Sequence, residues 1–336
     1  MAFLALCLLL LFLVQRNFTS DSNRLVSEEP FAGSREVDLP VYEVQQIEGK
    51  CPFKLKGEAR PGRSQGRPVQ FIHVPKAGGT SVQEMLIKWA GRSGIPTLLQ
   101  DGDGPLWNSP ASSGLFLGHR GFGFSARVAA RNPLTILAMR DPVSRLVSLF
   151  DYLRTTEEFD IPAVVAIKRA WQKKTLDEVV ESYRQVRETD PDSLLPGGKA
   201  SFSDRTWHRV LHNQVQFLCG FDCVWYMTGD RRESLQPFAG QDVLRRAREN
   251  LDRADVVAVL NRLDDLLVQL KLYLDFVPRN FNSFPHENSM ASTQRSQPSE
   301  RTLELLREWT KDEQELFERA KSIADKKTAE AIRCLS

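Results

Sequence analysis

The eleven residues Phe71 to Ser81, F-I-H-V-P-K-A-G-G-T-S, constrain the fold more than any other stretch of the chain. A β-branched and aromatic run, Val69 to Val74, stops at Pro75 and opens into Lys76, Ala77, Gly78, Gly79, Thr80 and Ser81. Beyond it Val82, Met85, Leu86, Trp89 and Ala90 recur at the i, i+3, i+4 spacing of an amphipathic helix. The segment therefore predicts a strand, a glycine turn and a helix, the unit from which α/β domains are built. Gly78 and Gly79 let bare backbone N–H groups approach a ligand, and the helix start adds unpaired amides and a positive dipole end. With a lysine charge and two hydroxyls beside them, a phosphate or sulfate would fit; the alternative is a glycine turn next to a surface lysine. Residue order excludes one familiar motif. In the nucleotide-triphosphate loop G-x-x-x-x-G-K-[ST] the lysine follows the glycines, whereas Lys76 precedes both.

A second junction of the same kind lies at Leu134 to Arg154, L-T-I-L-A-M-R-D-P-V-S-R-L-V-S-L-F-D-Y-L-R. Leu134 to Met139 predicts a short buried strand. Asp141 is placed to cap a helix with Pro142 in its first turn, and Val143, Leu146, Val147, Phe150 and Leu153 form the apolar stripe. Arg140 falls at the strand end, where ligands gather in α/β sheets, and Ser148 falls two turns along, beside the stripe. Each has an ordinary structural alternative: an ion pair with Asp141 for Arg140, a surface position for Ser148.

Together the two junctions resemble the sulfotransferases that use 3′-phosphoadenosine 5′-phosphosulfate (PAPS), in particular the Golgi enzymes that sulfate glycan hydroxyls. A P-K-x-[AG]-[SG]-T-[ST] loop holds the 5′-phosphosulfate in that family and matches Pro75 to Ser81; R-D-P-x-x-R-x-x-S holds the 3′-phosphate and matches Arg140 to Ser148. The likeness to heparan sulfate 2-O-sulfotransferase and the uronosyl 2-O-sulfotransferases continues through L-V-S-L-F-D-Y-L-R at 146–154 and N-Q-V-Q-F-L-C-G at 213–220. It ends with a strand, Asp255 to Leu260, leading to a helix near Leu263, and covers roughly residues 67–325. The resemblance implies an α/β fold, a P-loop-like parallel sheet flanked by helices, in one catalytic domain. It implies PAPS as sulfuryl donor, a glycan or polysaccharide acceptor, no metal and no nucleic acid.

The resemblance also assigns residues. His119, in L-F-L-G-H-R-G-F-G-F, matches the family histidine in its G-H-x-x-[FY] setting and is the expected general base, the task for which imidazole is suited near neutral pH. Leu117 stands where the 2-O-sulfating enzymes have a second histidine, which bears on the acceptor more than on the chemistry. Lys76 is expected beside the bridging oxygen of the donor, with the Gly78 to Ser81 amides and hydroxyls around the developing anion. A loop near Asn280 to Ser299 closes over the adenine and 3′-phosphate in the family, making Thr293 and Arg295 candidates there. Asn213 and Gln214 are read as acceptor contacts.

His208, His212, Cys219 and Cys223 spell H-x3-H-x6-C-x3-C, four zinc-type ligands within sixteen residues. The family has a disulfide in this loop, so a Cys219–Cys223 bridge is the favoured reading and Cys51 to Cys334 the second pairing. Of the five cysteines, Cys7 lies inside an apolar leader. An oxidising compartment would permit both bridges.

That leader, Ala2 to Val14, is short for a membrane span and has neither a basic segment before it nor a clear small-x-small cleavage site after it. Residues 1–15 are read as a signal anchor or signal peptide and 16–66 as a polar stem, ahead of a domain at 67–336. The expected location is the Golgi membrane, with the catalytic region in the lumen. At 336 residues, 41% hydrophobic and 26% charged, the chain can bury a large core, and a net charge of +2 gives no global field for polyanions. Recognition of an acidic glycan must then be local, and Arg120, Arg127, Arg131, Arg205 and Arg209 cluster in sequence near the acceptor motifs.

Capping boxes are predicted at Thr175–Glu178 and at Thr310–Glu313, and a proline and glycine loop at Asp190 to Ser203. Leu303, Leu306 and Trp309, then Leu316, Phe317, Ala320 and Ile323, read as core-facing stripes of terminal helices. Three further readings stand beside the glycan sulfotransferase: a tyrosylprotein sulfotransferase, a kinase with an aberrant phosphate loop, and an inactive glycan-binding relative. The lysine order opposes the kinase, and the joint presence of Lys76, His119, Arg140 and Ser148 opposes the inactive relative.

Overall fold

The computed structural model describes residues 67–99, 114–119, 121–123, 133–155, 162–194, 199–220, 223, 241–274 and 295–335. The leader, the stem and Thr293 lie outside these residues, as do Cys51, Arg120, Arg127 and Arg131. All described residues belong to one compact unit. Among them no helix is long and apolar enough to cross a membrane.

Five strands, β1 (Val69–Ile72), β2 (Thr97–Leu99), β3 (Leu115–Leu117), β4 (Leu134–Met139) and β5 (Val256–Val259), form one sheet in the order β2-β3-β1-β4-β5. Every pairing is parallel, with Phe71 opposite Ile136 and Met139 opposite Val259. Parallel strands need crossover helices on both faces, which explains why β4 and β5 read as continuous apolar runs. Alternation then sorts the side chains. Phe71, Ile136 and Ala258 face one layer, where α1 (Gly79–Arg92) and α8 (Asp264–Leu270) cover the sheet. Ile72, Leu137 and Val257 face the other, beneath α6 (Asn213–Cys219), α7 (Gln241–Arg253) and α10 (Lys311–Leu335). Each fully buried Leu, Ile or Phe contributes about 1.5–3 kcal/mol, so the two layers can bear a polar, charged edge.

A helical cluster with its own core adjoins the sheet: α2 (Pro142–Thr155), α3 (Pro162–Trp171), α4 (Leu176–Thr189), α5 (Phe202–Leu211) and α9 (Glu300–Trp309) pack around Phe150, Trp171, Tyr183 and Trp207. The predicted loop at 190–203 contributes Leu194 to this core through a short 3-10 turn, Pro191–Leu194. Thr175 and Glu178 form the expected capping box at the start of α4.

The second predicted box is not formed. Thr310 donates its hydroxyl to Leu306 O at 2.7 Å, and the Glu313 carboxylate turns inward, fully buried, to Gln214 and Arg145. The pull of a buried cation outweighs a local cap whose worth is about 1 kcal/mol. Leu305 takes the core position expected of Leu303, which is half-buried.

Candidate functional site

Because all strands run the same way, the loops after β1, β3 and β4 leave the sheet at one edge. The chain turns outward from β1 in one direction to β2 and β3, and later to the other side through β4 and β5. The crevice between the ends of β1 and β4 is therefore the topological switch point, the place where open α/β sheets bind ligands. Lys76, His119 and Arg140 occupy these three loops.

The first loop is held in an unusual backbone shape. Lys76 has φ 63 and Gly78 has φ 83, both in the left-handed region. A side chain at Gly78 would also meet Leu260, and a Cβ at Gly79 would fall inside the ring of His73. Both glycines are thus required by packing, in addition to leaving amides bare. The non-glycine Lys76 stores strain of about 1–2 kcal/mol that its neighbours must hold. Arg140 does so: its guanidinium Nη1 donates to Lys76 O at 3.1 Å across the crevice. Ala77 packs into the core, Ser81 is buried in the first turn of α1, and Thr80 beside it is exposed. The Lys76 ammonium lies 4.0 Å from the centroid of the Tyr152 ring on α2.

The second junction forms as its sequence predicts. Asp141 Oδ1 accepts from Ser144 N at 2.8 Å and caps α2. The Arg140 backbone N–H donates to Gln214 Oε1 at 3.0 Å, so the hydrogen-bond partners of Arg140 among the described residues are neutral oxygens. Burial, then the like charge of Arg295, lowers the pKa of Arg140 from its ordinary value. Arg295 is brought there by Asp151, whose carboxylate accepts from Ser296 N at 3.0 Å and Ser296 Oγ at 2.5 Å. The two guanidiniums are thus near enough for their like charges to repel, a repulsion that a bound anion would relieve. Ser148 is half-buried on α2. Arg295 also lines a cleft of about 420 Å³ with Arg154, Asp177 and Gln297, but Lys76, His119 and Arg140 do not line it. That cleft is a neighbour of the site.

His119 follows β3, half-buried, on a turn where Gly118 has φ 118. Its Nδ1 donates to His73 O at 2.8 Å, since a carbonyl can only accept. The neutral ring therefore carries its proton on Nδ1 and its lone pair on Nε2. The His73 ring lies against it with centroids 4.2 Å apart, and Phe217 meets it edge-on at 6.5 Å. His73 is itself buried, and its Nδ1 faces Gln83 Oε1 of α1 at 3.0 Å.

The structure corrects the expectation for Gln214. Its side chain is fully buried, the oxygen taken by Arg140 N and the amide nitrogen directed at Glu313 Oε2 at 3.4 Å. Asn213 is buried as well. They do not line an acceptor surface; Gln214 is a strut. Glu313 Oε1 accepts from Gln214 N at 2.6 Å and Oε2 from Arg145 Nη2 at 3.2 Å, with both ionic side chains at 0% exposure. Arg145 also bonds the last carbonyls of α5, Val210 and Leu211. An unbroken chain thus runs from α10 through Gln214 and Arg140 to the Lys76 carbonyl.

Cys219 and Cys223 lie at disulfide-bonding distance, as the bridge reading expects, and His208 Nδ1 pairs with the Tyr183 hydroxyl at 2.8 Å. Cys334 is disulfide-bonded, and its expected partner Cys51 lies outside the described residues. Of the arginines proposed to meet an acidic acceptor, Arg205 donates to Ala200 O at 2.8 Å.

Sequence reading missed His73, Gln83, Asp151 and the Arg145–Glu313 pair. A signal for the last was present. Arg145 falls three and four residues from Pro142 and Leu149, and Glu313 three and four from Leu316 and Phe317, both on stripes that turn inward. A carboxylate and a guanidinium on inward faces must find each other.

Two histidines, the buried His73 and the half-buried His212, give the fold a pH dependence. Burial pushes the pKa of His73 down to about 3, with the neighbouring His119 adding to the shift, and that of His212 down to about 4. Both are neutral in the native state, while the unfolded chain takes up protons below about pH 6.5. Stability is therefore complete above pH 6.5 and is lost as pH falls toward 4 and 3, at about 1.4 kcal/mol per unit for each ring. The thermal midpoint measured from pH 7 to pH 5 is expected to fall steeply, and His212→Phe should reduce the slope. A flat profile would refute this assignment.

Comparison of the chain with models of known protein families and with curated proteins finds no match.

Proposed function

We propose that the protein is a PAPS-dependent sulfotransferase of the sulfotransferase fold, which transfers a sulfuryl group to a hydroxyl of a glycan. The observation that carries this reading is the meeting of three loops at the switch point. Arg140 bonds the carbonyl of Lys76, and His119 bonds the carbonyl of His73, so two anion-binding elements and a base share one framework.

The roles follow from the chemistry. Arg140, with Arg295 coupled to it and Ser148 two turns along α2, suits the 3′-phosphate, while Lys76, Ala77 and the Gly78 to Ser81 turn suit the 5′-phosphosulfate. His119 Nε2 takes the proton of the acceptor hydroxyl as its oxygen attacks sulfur. The bond from sulfur to the bridging oxygen breaks, and the leaving phosphate is stabilised by the Lys76 ammonium. The Lys76 ammonium lies over the Tyr152 ring, a contact that holds it at the mouth of the loop. The order of lysine and glycines supports this donor over a nucleoside triphosphate.

The donor is tested first. Calorimetry is expected to give far tighter binding of 3′-phosphoadenosine 5′-phosphate than of ATP. Arg140→Ala should weaken the former about ten- to hundredfold and remove most of the preference, as befits charge-assisted hydrogen bonds of about 1.5–3 kcal/mol. Equal affinity for the two nucleotides in the unaltered protein would overturn the donor. Transfer of labelled sulfate to a panel of glycans and tyrosine peptides then identifies the acceptor class.

A further inference from the structure

Two histidines meet at the end of the sheet, and the chemistry of the proposed reaction uses only one. His73 is 7% exposed and is held neutral far below physiological pH, so it is no candidate for the base. Three contacts tie it to the residues around it. Its carbonyl receives Nδ1–H of His119 at 2.8 Å, its ring lies 4.2 Å from the His119 ring, and its Nδ1 is bonded to Gln83 Oε1 at 3.0 Å. The other side of the ring fills the space a side chain at Gly79 would need, in the first turn of the anion-binding helix.

We propose that His73 is the positioning residue for His119, fixing its tautomer through the carbonyl and its ring plane through the imidazole packed against it at a tilt of 37°, with Gln83 anchoring the assembly to α1. This rests on the reading of His119 as the base. A flat ring wedged between Gly79 and His119 makes the distance from base to anion loop a property of packing. Movement of the loop is thereby transmitted to the base. Burial also makes His73 a weak base, so it does not compete with His119 for the acceptor proton. Gln83 accepts from Nδ1 and so sets which edge of the His73 ring faces Gly79. Misplacement of a catalytic group by about 1 Å can cost two orders of magnitude, so a packing contact of this kind is worth a measurable rate.

The test uses the whole protein labelled with nitrogen-15 at histidine, the His119 resonance being assigned by its loss in His119→Gln. Long-range proton–nitrogen spectra at pH 7 are expected to show His119 with its proton on Nδ1 and a lone pair on Nε2. The opposite tautomer would overturn the proposal. In His73→Ala, kcat is expected to fall about ten- to hundredfold with donor affinity within about twofold, and the His119 shifts should move toward the average of the two tautomers. His73→Phe, which keeps a flat ring in the same space, should recover most of the rate. Gln83→Leu, on a half-buried helix position, provides a variant that folds even where His73→Ala does not, and should lower kcat in the same direction. Equal losses of donor affinity and kcat, with the His119 spectrum unchanged, would make His73 a scaffold of the loop and overturn its positioning role. If the unaltered protein transfers no sulfate, the proposed reaction fails. In that case a fixed Nδ1–H tautomer that averages in His73→Ala still supports the positioning, and an averaged tautomer in the unaltered protein overturns it.

Discussion

Replacing His119 with alanine is expected to lower turnover by about two to four orders of magnitude while leaving donor affinity within about twofold. The separation follows from geometry. His119 reaches the site from the loop after β3 and bonds the His73 carbonyl, whereas the groups proposed to bind the donor sit on the loops after β1 and β4. Lys76→Ala is expected to behave differently, impairing donor binding and turnover together, because an ammonium that touches the donor does so in both ground and transition states. Single-turnover rates with saturating donor, alongside donor titrations, distinguish the two patterns. Near-normal turnover in His119→Ala would move the base elsewhere, and the half-buried His208, which pairs with Tyr183, would be the next histidine to replace.

The second large effect concerns stability. Glu313→Leu leaves the Arg145 guanidinium buried at 0% exposure without its counter-charge. Breaking such a pair from one side costs about 3–5 kcal/mol, a shift of about 10 °C in the melting midpoint for a domain of this size. Adding Arg145→Met removes the stranded charge and should recover part of that loss. The recovery is incomplete because the Val210 and Leu211 carbonyls lose their donor. Donor affinity should stay low in the double variant, since Gln214 has lost the carboxylate that orients it and Arg140 N–H loses a fixed acceptor. Calorimetric melting and nucleotide titration of the same three proteins decide the point. Full return of donor binding with the double substitution would confine Glu313 to a role in folding.

The two strand-to-helix junctions were legible in the sequence because each is a local event. A strand, a cap and a helix follow from residues a few positions apart, so Asp141 capping α2 and the αL turn at Gly78 needed no knowledge of the rest of the chain. The same holds for the capping box at Thr175, whereas the Cys219–Cys223 bridge was implied by the resemblance and not by the spacing. The Thr310–Glu313 box failed under the same local logic, because a residue 168 positions away offered Glu313 a stronger partner.

Gln214 illustrates the remaining gap. Polarity and a place beside two histidines suggested a surface contact, but α6 is buried along its whole length beneath α7 and α10, and the amide became a strut between Arg140 and Glu313. His73 was read as one residue of a strand end; only the parallel order β3-β1-β4 sets it against His119, 46 residues on, and against the glycine that makes room for its ring. Sequence determined the elements and the chemistry at their ends, since capping, turn geometry and hydrophobic period act over one or two helical turns. Tertiary structure decided which ends meet and which polar groups are buried together. Those depend on strand order and on the desolvation of charges, and neither is encoded within any single segment.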